Sequence, residues 1–72
     1  MDAKKTGSFI CLNRKRQGLS QKELADRLHI SDKAISKWER GLSFPDISML
    51  IPLSETLEIS LYDLLNGGNA DE

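Results

Sequence analysis

Seventy-two residues, 29 % charged and 39 % hydrophobic, are enough for one small folded domain and not for two. No apolar run approaches the roughly 18 residues of a membrane helix, the longest being Phe9-Ile10-Cys11-Leu12. A single cysteine and a single histidine exclude an internal disulfide and argue against a zinc site, so no metal or other cofactor is expected.

Val is absent, while Leu occurs eleven times and Ile six, a balance that favours helix over strand. The chain therefore reads as all-α, in five short helices. The first is expected from about Ser8 to Gln17, capped by Thr6 or Ser8 and stopped by Gly18. Phe9 and Ile10 should face inward; Leu12 and Asn13 compete for the next inward position. Residues 1–6 then form a flexible arm whose Lys4 and Lys5 are either solubilising or phosphate-seeking. No long apolar region follows Met1–Lys5, so no signal peptide is expected, and the simplest compartment is the cytoplasm.

The second helix opens on Ser20-Gln21-Lys22-Glu23, a capping box in which Ser20 and Glu23 satisfy each other's backbone N–H groups. Leu19 and Leu24 form a hydrophobic staple across that cap. Ile30 and Ile35 stand in the same relation around Ser31, so a third helix starts eleven residues after the second. His29 lies in the tight turn between them, where a left-handed backbone would suit Gly best but is tolerated by His. The third helix spans about Asp32 to Glu39, with Gly41 as its stop. At 100° per residue, Ala34, Ile35 and Trp38 fall on one arc and Asp32, Lys33, Ser36, Lys37 and Arg40 on the other. Trp38 thus reads as core rather than as a base-stacking platform.

Leu42-Ser43-Phe44-Pro45 reads as a loop whose apolar side chains either meet a second copy or pack on the fourth helix. That helix is expected from about Ile47 to Leu57, capped by Asp46, with Ile47, Leu50, Ile51 and Leu57 at helical spacing and Pro52 either kinking it or costing one hydrogen bond. Ser60 starts a short fifth helix, ended by Asn66-Gly67-Gly68, and residues 67–72 are expected to be a flexible tail.

Charge is strongly segregated. All ten Lys and Arg lie in residues 1–40 with five acids, a net +5; residues 41–72 carry six acids and no base, a net −6. Such polarity is expected either of a protein with one surface facing an anion and another facing away, or of small solvated helices that segregate charge by chance. Two short helices on a tight turn, the second with an apolar inner and a polar outer arc, form a helix-turn-helix of a width suited to the DNA major groove. His29, Asp26 and Ser20 are residue types of a hydrolase set, but they lie around one helix without an oxyanion site, so no enzyme is expected. Cys11 reads as a small packed residue.

Leu19-Ser20-Gln21-Lys22-Glu23-Leu24-Ala25, Ile30-Ser31, and above all Ala34-Ile35-Ser36-Lys37-Trp38-Glu39-Arg40-Gly41 resemble the lambda-repressor/Cro-like (XRE-type) helix-turn-helix family. The resemblance covers roughly residues 7–66 and implies a compact five-helix domain that binds operator DNA, commonly as a symmetric dimer, to regulate transcription, most often as a repressor. By that resemblance Gln21 matches a position contacting the DNA backbone. Asp32, Lys33, Ser36 and Lys37 match recognition-helix positions facing base edges and nearby phosphates, and Arg40 a backbone-contacting position. Arg14 and Glu39 match a structural pair that joins the first helix to the end of the third in some members. Asp32 has a second account, since an acid at a helix N-terminus also stabilises the helix dipole. Two departures stand out: Asn13 where the family often has Leu, and His29 where it often has Gly. The rival function is a protein-interaction adaptor or antitoxin-like module, which the acidic second half would suit.

Overall fold

The computed structural model describes residues 2–68. It contains five helices: α1 (Ala3–Arg16), α2 (Gln21–Leu28), α3 (Asp32–Glu39), α4 (Ile47–Leu57) and α5 (Leu61–Leu65). Each is started by a short polar side chain that accepts from the next turn's free N–H groups: Asp2, Ser20, Ser31, Asp46 and Ser60 in order. The capping box at Ser20 is complete, Glu23 N donating to Ser20 Oγ at 3.0 Å and Ser20 N to Glu23 Oε1 at 2.8 Å.

α1 departs from expectation. It begins at Ala3, not near Ser8, because Asp2 Oδ1 accepts from Lys4 N at 2.9 Å and Lys5 N at 3.2 Å. The expected arm over residues 1–6 is therefore helical from Ala3 onward. Thr6 is buried and its hydroxyl donates to Leu64 O at 3.2 Å, tying α1 to α5. At the other end Gly67 and Gly68 still belong to the fold. Gly68 N donates to Asp63 O at 2.7 Å, and both glycines lie against Lys5 and Phe9 of α1. The rest of the expected tail, residues 69–72, lies outside the described residues.

Inside α1 the rivalry between Leu12 and Asn13 goes to Asn13. It is 2 % exposed and Nδ2 donates to Phe9 O at 2.9 Å, whereas Leu12 is 53 % exposed. Phe9, expected inward, is only half-buried. The core is Ile10, Leu24, Ile35, Leu53, Leu57 and Leu64, joined by Leu19, Ala25, Leu28 and Trp38. α4 runs unbroken through Pro52. Its inward face is Leu53 and Leu57 with Met49 and Leu50 beside them, so Ile47 and Ile51 point outward.

α3 is held from two sides, by α1 and by α2. The α2–α3 turn closes through His29, at φ 60° and ψ 41°, with Ile30 N donating to Ala25 O at 3.0 Å. His29 thus supplies the left-handed residue that Gly supplies more readily. No helix among the described residues is long and apolar enough to cross a membrane.

Candidate nucleic-acid interface

The staples and caps that set the α2–α3 angle leave one arc of α3 outside the core. Ile35 and Trp38 are buried beneath it. Asp32, Lys33 and Lys37 are exposed on it, and Ser36 is half-buried. Ser36 owes its partial cover to Arg40, whose Nε donates to Ser36 Oγ at 3.2 Å and to Ser36 O at 3.3 Å. That bond lays the Arg40 guanidinium over the end of the arc while leaving the residue exposed. Lys33, Lys37 and Arg40 are in no ion pair among the described residues and outnumber the one acid of the arc, Asp32.

Gln21 reaches the same region from the first turn of α2. Its Nε2 donates to Glu39 Oε1 at 2.9 Å. Glu39 in turn receives Arg14 through two parallel bonds, Nε to Oε2 at 2.6 Å and Nη2 to Oε1 at 2.9 Å. Arg14 also donates from Nη1 to Leu19 O at 2.8 Å. One carboxylate therefore collects side chains from α1 and α2 onto the last turn of α3. The pair is well sheltered, the side chains being 10 % and 5 % exposed.

The electrostatics follow from that geometry. Burial pushes the Glu39 carboxyl up, but bonds from Arg14 and Gln21 and the Arg14 charge together outweigh it and hold the group below its ordinary value. The Glu39 bond raises Arg14 against a smaller opposing effect of burial. The Gln21 bond is the member of this cluster that sequence reasoning missed. Its only signal was the position of Gln21 one residue past a helix cap, and Glu39 lies 18 residues away.

The structure does not assemble the hydrolase-like set. Ser20 Oγ is engaged by Glu23 N, Asp26 lies 3.6 Å from Lys22 Nζ, and His29 is exposed at its turn. In the loop after α3, Pro45 is buried, Phe44 half-buried and Leu42 62 % exposed.

A helix-turn-helix family model matches residues 13–64. The HTH-type transcriptional activator BcrR of Enterococcus faecalis is 37 % identical over 51 residues, covering 71 % of this chain and 25 % of that protein. The uncharacterised HTH-type transcriptional regulator YqaE of Bacillus subtilis (strain 168) is 41 % identical over 54 residues, 75 % of this chain and 47 % of its own length. The chain thus spans between a quarter and about half of these relatives. Among solved structures, the P22 c2 repressor in complex with a synthetic operator superposes with a TM-score of 0.82 at 35 % identity, over 86 % of this chain and 94 % of that one.

Proposed function

The chain belongs to the lambda-repressor/Cro-like (XRE-type) helix-turn-helix family, and from that premise we propose that it binds double-stranded DNA sequence-specifically to regulate transcription, with α3 in the major groove. The observation that carries this reading is the outer arc of α3, where Lys33, Lys37 and Arg40 stand exposed and unpaired among the described residues above a buried Ile35 and Trp38. A groove lined with phosphates attracts such a stripe, and a helix backed by a packed core is rigid enough to read base edges.

In this reading Lys37, Lys33, Ser36 and Asp32 face the bases and adjoining phosphates, while Gln21 and Arg40 hold the backbone. Arg14 and Glu39 position them without touching DNA. Gln21 keeps one amide hydrogen on Glu39 and has the other for a phosphate oxygen. The unit of binding is the body formed by α1 to α5, acting in the cytoplasm. Pairing on a two-fold axis would set half-sites about 10 bp apart or a multiple of that. Repression is the sign we propose, after the named role of the P22 c2 protein, although BcrR is named an activator. A reporter placed behind a selected site separates the two.

Selection of bound sequences from a random duplex pool tests the whole reading, since an adaptor would enrich nothing. Two substitutions then sort the contacts. Lys37→Ala should cost about 1–3 kcal/mol on the selected site and relax preference at one base pair. An equal loss on every sequence removes Lys37 from base readout. Arg40→Ala should lower the slope of log affinity against log salt by about one unit. A slope left unchanged means that Arg40 does not meet phosphate.

A further inference from the structure

We propose that the chain binds a second copy of itself by seating α4 of one molecule, antiparallel, in a groove along α1 of the other. The groove has a volume of about 570 Å³ and is walled on one side by Gly67 and Gly68. Its floor is one stripe of α1, in which Lys5, Phe9, Leu12 and Arg16 recur at helical spacing with Lys4 at the edge. Apolar surface therefore lies in the middle and positive charge at both ends. Lys4, Lys5 and Arg16 are in no ion pair among the described residues.

α4 presents the complementary stripe. Ile47 and Ile51 are 83 % and 58 % exposed, Glu55 follows at helical spacing, and Glu58 caps the end of α4 in a left-handed conformation, both acids exposed and in no ion pair among the described residues. Set antiparallel, Lys5 faces Glu58 when Leu12 faces Ile51. The seven residues from Lys5 to Leu12 span about 10 Å of helix, and Glu58 follows directly on the last helical residue, Leu57. A charge pair and an apolar contact therefore coincide at this end, while Arg16 at the other end comes opposite Ile47 and the exposed Asp46 beside it.

The helix dipoles favour the same partner. Lys4 and Lys5 occupy the first turn of α1, at the positive end of its dipole, where the one acid is the capping Asp2, already engaged by their backbone N–H groups. Glu55 sits in the last turn of α4 and Glu58 caps it, at the negative end, and that turn holds no base. Each cluster runs against its own helix, and docking the two relieves both. The two surfaces differ, so the contact is heterologous and each copy retains a groove and an outer face for further neighbours. It is separate from the two-fold pairing named above and does not rest on the DNA-binding reading.

Sedimentation velocity on the DNA-free chain tests this. In about 0.1 M salt the average mass should climb with concentration past that of a dimer. In about 1 M salt, where the Debye length falls from about 10 Å to about 3 Å, it should return toward the monomer. Lys5→Glu and Glu58→Lys should each weaken association at least tenfold at low salt, and the chain carrying both should recover it. Ile51→Lys should abolish it. A monomer at every concentration overturns the proposal. So does a dimer that Lys5→Glu leaves intact, or a double swap that restores nothing. Circular dichroism reports the fold of each variant, and Lys5→Gln and Glu58→Gln replace any that loses it.

Discussion

Glu39→Ala is expected to destabilise the fold by about 3–5 kcal/mol, because it strands a sheltered guanidinium that keeps only one strong partner, Leu19 O. A domain of this size has roughly 4–10 kcal/mol in total, at 0.05–0.15 kcal/mol per residue. Loss on that scale should leave a large unfolded fraction at 37 °C, visible in a urea titration followed by circular dichroism.

Arg14→Met probes the same pair from the other side and carries a sharper signature. In the parent, Glu39 titrates below its ordinary value of 4.5 in the folded state. Its contribution is fully present above the unfolded pKa and is lost as pH falls through the folded one. Without Arg14, the carboxyl keeps the Gln21 bond but loses its cation, and burial then raises its folded pKa. The contribution now holds below about 4.5, the ordinary value, and is lost as pH rises through the folded pKa. Stability of the variant, measured against a parent control, should therefore gain on acidification toward pH 4.5 in the range where the parent stays level. Parallel pH profiles for the two proteins would show that the pair does not govern Glu39.

Much of the fold was legible because its signals are short-range. Ser20 and Glu23 are three residues apart, and so are Ser31 and the Ala34 N–H that it caps. The staple residues Leu19 and Leu24, and Ile30 and Ile35, are five apart. Local chemistry of that kind fixes where α2 and α3 begin and how their outer arcs divide. The start of α1 was misread for a different reason. Gly7 and Thr6 are poor helix formers by propensity and masked the local Asp2 cap, and the bond that further ties Thr6 down goes to Leu64 O, 58 residues away. On α4, four apolar positions share helical spacing, and only the placement of the rest of the core decides that Leu53 and Leu57 face inward while Ile47 and Ile51 do not. The candidate interface was readable as an arc. The Gln21–Glu39 bond that organises its edge was not, since it joins side chains of two separate helices.

Gly7→Ala should lower stability by about 2 kcal/mol and the melting temperature by roughly 10 °C, against what helix propensity alone predicts. In an exposed helix interior Ala is better than Gly by about 1 kcal/mol. Gly7, however, is buried, and a β-carbon there would overlap Trp38 O and press on Glu39 O at 3.1 Å. Both obstacles are main-chain atoms of the last turn of α3, so no side-chain rotation relieves the clash. α1 must move away from α3, and the overpacking cost of about 1–3 kcal/mol, occasionally more, exceeds the propensity gain when backbone meets backbone. The displacement acts on the turn that carries Glu39, and through it on Arg14 and Gln21. Binding to a selected DNA site should therefore fall more than binding to random duplex, as α3 loses its fixed angle. Should the Ala variant melt at or above the parent temperature, close passage of α1 across α3 does not constrain the recognition helix.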